Sequence, residues 1–181
     1  GAERRRPMDR LWAPWRAHYV AGAARNPDSA SSCFLCDALT RDDDRETLIA
    51  WRGPHSVVIL NRYPYNNGHL LIAPRVHVGS LQELEGADLV ESIQTIRWMM
   101  TILDHLFRPQ GYNVGLNQGA AAGAGLPGHL HWHLVPRWDG DVNFMPILAQ
   151  TKVVTESLDA FRDRLIREIE TDPAAGFKFP S

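Results

Sequence analysis

A chain of 181 residues, 44% hydrophobic and 22% charged, is long enough to bury a core and reads as one domain with tails. No apolar run approaches the roughly 20 residues of a membrane span. A net charge of −2 supplies no field to gather nucleic acid, so any anionic ligand must be held by local groups. Two cysteines, and a basic start with no apolar stretch behind it, predict a reducing, cytoplasmic setting rather than an exported disulfide framework.

In chain order, the first segment of note is aromatic: residues 11–20, LWAPWRAHYV, form an arm expected to pack on the core or on a second subunit. Residues 21–32 read as a polar linker, which sets residues 1–32 apart from a domain over residues 33–155. Cys33-Phe34-Leu35-Cys36 opens that domain, and an acidic turn follows at Asp42-Asp43-Asp44. Strands are predicted over 47–51 and 56–61, split by the turn signal Gly53-Pro54, and over 69–74 after the loop RYPYNNG. Ser80-Leu81-Gln82-Glu83 has the form of a capping box. Leu89, Ile93, Ile96, Met100, Leu103 and Phe107 recur at spacings of three and four, the apolar stripe of a long helix stopped by Pro109 and Gly111. A strand over 112–117, a small-residue loop over 118–128 and a strand over 129–135 come next. Residues 156–181 are expected to be a C-terminal helix, over about 157–170, and a tail. Strands interrupted by one long helix predict an α+β fold on an antiparallel sheet.

Alternation along the strand puts His129, His131 and His133 on one face and Leu130, Trp132 and Leu134 on the other. With a rise of about 3.3 Å per residue, a flat strand cannot bring all three imidazoles onto one metal ion, so at least one does something else. Burying three imidazoles for packing alone would require up to about six nitrogen partners, which favours a functional reading. The loop before them, Ala120-Ala121-Ala122-Gly123-Ala124-Gly125-Leu126-Pro127-Gly128, has almost no side chain able to do chemistry. Its unobstructed amides around Gly123 and Gly125 read as a phosphate cradle, and without a lysine it is no P-loop. Cys33-x-x-Cys36 by itself is half a tetrahedral metal site or a redox pair.

The run His129-Leu130-His131-Trp132-His133-Leu134-Val135 resembles the signature of the histidine triad (HIT) family, in which histidines alternate with apolar residues. Residues 61–69 (NRYPYNNGH) and 111–117 (GYNVGLN) are similar to the segments that line the family's nucleotide site. Residues 11–16 (LWAPWR) and 135–144 (VPRWDGDVNF) resemble the bacterial branch that contains diadenosine tetraphosphate phosphorylases.

The resemblance implies a HIT-like fold, an antiparallel sheet with one long helix and a C-terminal helix. It implies an enzyme, a nucleotidyltransferase or nucleotide hydrolase, that cleaves adenine nucleotides or dinucleoside polyphosphates at the α-phosphate. His131 would be the nucleophile, forming a nucleotidyl-histidine. His133 would contact phosphate, Asn61 the ribose, and Asn117 the phosphate or ribose, with His69 supporting the triad through hydrogen bonds. Cys33, Cys36, the His77 of Pro74-Arg75-Val76-His77, and His129 would hold a structural zinc ion. A homodimer is implied, with the Trp12/Trp15 arm or the long helix in its interface. Residues 124–128 offer no side-chain donor where some family members carry Gln, Ser or Thr, so backbone amides must substitute and either water or inorganic phosphate could accept the nucleotidyl group. The alternatives are a nucleoside phosphoramidate hydrolase and a nucleotide-binding protein with little turnover.

Overall fold

The structure, a computed structural model, describes residues 33–141 and 156–173. The aromatic arm, the linker, the stretch 142–155 and the tail from 174 lie outside the described residues.

Helix α1, Phe34–Thr40, starts at Cys33, whose sulfur accepts the amide of Cys36. The acidic turn is itself a helix start: Asp43 caps α2, Asp44–Thr47, by accepting the amides of Arg45 and Glu46. Leu48 ends α2 in the left-handed region at φ 63°, which moves the first strand later than expected, to β1, Ile49–Arg52. Arg52 then clamps this corner together. Its guanidinium donates to the carbonyls of Ala38, Leu39 and Arg41 at the end of α1 and to the Asp44 carboxylate.

Strands β2, Ser56–Leu60, and β3, Leu70–Pro74, are buried along their whole length. Ser80 caps only a 3-10 turn, Leu81–Glu83. The long helix that follows, α3, Gly86–Phe107, therefore begins without a side-chain cap, at Glu85, and the capping box does not belong to it. Its buried face is also turned by about one residue from the expected stripe. Ser92, Thr95, Ile96, Met99, Ile102 and Leu103 face the core, while Ile93 is 49% exposed. The reason is that polar side chains occupy core positions. The buried Glu91 carboxylate accepts the amides of His55 and Ser56 and the Ser56 hydroxyl, and Ser56 also meets the Thr95 hydroxyl. A count of apolar residues alone passes over such positions.

Strand β4, Gly111–Leu116, and strand β5, Trp132–Arg137, complete a five-stranded antiparallel sheet in the order β1-β2-β3-β5-β4. Strand β5 starts three residues later than expected, and Leu130 enters it through a hydrogen bond to the Val78 carbonyl. In its register Leu134 pairs with Leu70 and Trp132 with Ile72, in the core with Met99 and Ile102, whereas His133 pairs with Leu71 and Gly115. Helix α4, Leu158–Thr171, capped by Ser157, packs on α3 and buries Phe161, Leu165 and Ile169. Among the described residues, no helix is long and apolar enough to cross a membrane.

Replacing Glu91 by Ala would take the acceptor from the amides of His55 and Ser56 and from the Ser56 hydroxyl at the hairpin turn. Unfolding in urea should report a loss on the order of 3 kcal/mol with an unchanged m-value.

Candidate active site

His129, His131 and His133 keep the alternation expected of them, although only His133 lies inside β5. Leu130, Trp132 and Leu134 fill the core, and the imidazoles turn to the opposite side. Each ring has a partner that decides which nitrogen carries its proton, because a carbonyl can only accept and a backbone amide can only donate.

The Nε2 of His129 lies 2.9 Å from the Pro74 carbonyl, so Nε2 carries hydrogen and Nδ1 is a bare lone pair. That lone pair faces the sulfur of Cys33 at 3.3 Å and the sulfur of Cys36 at 3.5 Å. The Nδ1 of His77 lies 3.2 Å from the Cys36 sulfur. The four ligand atoms all lie within 4.8 Å of one another. Tetrahedral bonds of about 2.1 Å to nitrogen and 2.3 Å to sulfur imply ligand separations of roughly 3.4–3.8 Å, so two sulfurs and two nitrogens in this arrangement fit a closed, four-coordinate metal site. Burial, reinforced by Cys33, pushes the Cys36 thiol up to about 11 in the metal-free state, and a bound cation would reverse that by drawing off the proton.

His131 turns the other way. Its Nδ1 donates to the carbonyl of His129 at 3.0 Å, which leaves the Nε2 lone pair available. Burial lowers its pKa, partly countered by that carbonyl, so the neutral ring predominates at neutral pH.

The third imidazole is set from further away. The Tyr65 amide donates to Nδ1 of His69 at 3.0 Å, so the proton of neutral His69 sits on Nε2. That nitrogen is 3.0 Å from Nδ1 of His133, which must accept. Neutral His133 therefore carries its hydrogen on Nε2. The Tyr65 ring lies almost parallel to His133 at 17° and 5.5 Å between centroids, and His131 and His133 are 5.2 Å apart. Burial, with a smaller contribution from His131, pushes His133 down to about 4. Because the folded value lies below the unfolded one, the stability from neutral His133 is complete above about 6.5 and is lost as the pH falls toward about 4.

Of the remaining sequence candidates, Asn61 is the one with a contact to this centre. Asn61 is next to His69, with its carbonyl oxygen accepting the Tyr63 amide and its Nδ2 3.2 Å from His69 Nδ1. Asn117 is half-buried just beyond β4, and Gly123 and Gly125 are exposed. In the loop itself the amides of Ala122, Gly123 and Ala124 are donated to the carbonyls of Gly119 and Ala120, so a phosphate there must compete with them. Tyr65 and Asn66, which the sequence marks only as part of the segment 61–69, also belong to this site. Tyr65 acts through a main-chain amide and a ring face, for which no side-chain motif exists.

The HIT domain pattern matches residues 44–140, more than half of the chain. The chain belongs to the HIT family. It is 37% identical over 176 residues to a protein of Mycobacterium tuberculosis named AP-4-A phosphorylase, covering 96% of this chain and 90% of that one. A bis(5'-nucleosyl)-tetraphosphatase (asymmetrical) of Schizosaccharomyces pombe is 28% identical over 93 residues, 51% of this chain and 50% of that protein. The fold is shared with a zinc-bound histidine triad family protein from Mycobacterium smegmatis, at a TM-score of 0.62 and 20% identity over 77% of this chain and 94% of that one. The α+β HIT fold expected from the sequence is the fold observed.

Nitrogen NMR of the imidazoles should find His131 as the Nδ1–H tautomer and His133 as the Nε2–H tautomer. In an acid titration, His133 should remain neutral until the pH nears about 4.

Proposed function

We propose that this HIT protein is a cytoplasmic nucleotidyl-transferring enzyme that cleaves adenine dinucleotides such as diadenosine tetraphosphate at an α-phosphate. The observation that carries the proposal is the hydrogen bond from His131 Nδ1 to the His129 carbonyl, which leaves Nε2 as a neutral nucleophile.

Nε2 attacks the α-phosphorus, a P–N bond forms, and the bond to the bridging oxygen breaks with its electron pair going to the departing nucleoside polyphosphate. The Nε2–H of His133 donates to the phosphoryl oxygens, where charge develops. An acceptor oxygen then attacks the same phosphorus, the P–N bond breaks, and His131 regains its lone pair. Asn61 and Asn117 would hold the ribose and phosphate, with amides of the Gly123–Gly125 loop as further donors. A polyphosphate leaves as an anion and needs no proton. An amine does need one, and residues 119–128, GAAAGAGLPG, contain no hydroxyl or titratable side chain to give it. That favours a dinucleoside polyphosphate over a phosphoramidate.

The acceptor is inorganic phosphate in this reading, supported by the name and the 37% identity of the Mycobacterium tuberculosis relative. Phosphorolysis of diadenosine tetraphosphate yields ATP and ADP, whereas asymmetric hydrolysis yields ATP and AMP. Cys33, Cys36, His77 and His129 would hold zinc in a closed site with no position left for catalytic water, a structural role that ties α1 to the approach to β5. The open edge of β4 and the exposed Val90, Ile93 and Val114 support a homodimer.

Incubation of the protein with diadenosine tetraphosphate and phosphate should yield ATP and ADP, and omission of phosphate should stop turnover. Production of AMP instead would make the enzyme a hydrolase. His131→Ala should lower kcat by about 10³-fold or more and abolish an AMP adduct detectable by mass spectrometry in the parent protein. Cys36→Ser should release bound zinc, assayed by metal analysis, and lower Tm.

A further inference from the structure

The turn after β5 contains an ionic group that the chemistry above does not use. The Asp141 side chain is 7% exposed and accepts four hydrogen bonds. They come from Arg137 Nε at 2.6 Å, Arg137 NH2 at 2.8 Å, the Trp138 amide at 3.1 Å and Asn66 Nδ2 at 2.8 Å. Arg137, helped by the Trp138 amide and then by Asn66, holds the carboxyl down to about 2, so it is a carboxylate throughout the working range.

Asn66 is the part of the loop before β3 that reaches this carboxylate. Its Nδ2 also donates to the Pro136 carbonyl, its Oδ1 accepts the Asn67 amide, and its main-chain carbonyl accepts the His69 amide. The residue before it, Tyr65, supplies the amide that makes His69 Nδ1 an acceptor. Arg137 in turn donates to Asn113 on β4, so the clamp is anchored to the sheet on both sides.

We propose that Asp141 is a positioning residue for the triad, acting through Asn66 to set the direction of the hydrogen-bond chain from Tyr65 through His69 to His133. With the loop clamped, the chain runs one way and His133 presents Nε2–H to the phosphate. When Asn66 is released, the Tyr65 amide leaves His69. The Asn61 amide, whose Nδ2 lies 3.2 Å from the same nitrogen, then flips to present its oxygen, Nδ1 of His69 takes the proton, Nε2 of His69 becomes an acceptor, and His133 turns its proton inward to Nδ1. The phosphate would then meet a lone pair instead of a donor. The catalytic consequence rests on the role given to His133 above, but the reversal of tautomer does not.

Asp141→Ala and Asp141→Asn both break the two-oxygen pairing with Arg137 and so loosen the hold on Asn66, and the second, close in size and still polar, serves should the first fail to fold. Nitrogen NMR at neutral pH should show His133 passing from the Nε2–H tautomer to a mixture in both variants. Turnover of diadenosine tetraphosphate should fall about tenfold or more in kcat, with a smaller change in KM. Asn66→Ala should reproduce both effects, and the Asp141→Ala/Asn66→Ala double variant should be no worse than the more impaired single, since the two residues act in series. The proposal is overturned if His133 stays wholly in the Nε2–H tautomer in a folded Asp141 variant, or if the double variant loses the product of the two single losses. A shifted tautomer with undiminished turnover would support the positioning by Asp141 and count against His133 as the phosphate donor.

Discussion

Three polar groups of His129 point in three directions, and the site depends on all of them. The ring donates through Nε2 to Pro74 on β3, aims Nδ1 at the two cysteine sulfurs, and the main-chain carbonyl takes the proton of His131. A residue buried this completely has no room to satisfy those groups with water. The partner that orders the ring therefore also orders the carbonyl, and with it the nitrogen of His131 that keeps a lone pair. The metal-type cluster and the His131 tautomer are one construction, joined through a single residue.

The sheet explains why the three neighbouring imidazoles can do unlike jobs. Alternation directs them to one side, but each meets a different wall: β3 and α1 for His129, its own main chain for His131, and the loop before β3 for His133. No proton need be shared among them. The result is an N–H and a lone pair side by side, on rings 5.2 Å apart between centroids and both uncharged at neutral pH because burial disfavours the imidazolium.

The alternation of the triad, the succession of strands along the chain and the long helix were readable because they depend on local periodicity. The Cys33, Cys36, His77 and His129 grouping was readable only by resemblance, since nothing local says that residue 77 returns to residue 33. The rotated face of α3 was not readable, because Glu91 and Thr95 take core places to meet a hairpin turn some 35 residues earlier in the chain, and Ser92 beside them is satisfied by the Asp88 carbonyl of its own helix. The late start of β5 depends on the Val78 carbonyl, and the tautomers depend on Pro74 and Tyr65. In each case a distant main-chain group made the decision, and main-chain groups leave no trace in residue identity.

The clamp at Arg52 has a consequence for how an ion would be captured. Arg52 grips the carbonyl end of α1, while Cys33 and Cys36 occupy the other end, so the helix is anchored without help from the metal. Two thiols on an anchored helix meet two imidazoles on the sheet side that are already in place. Most of the ordering entropy is spent when the domain folds, not when the ion arrives. An ion bound there would then be lost and recaptured by exchange at a standing claw, with β5 kept in its sheet throughout.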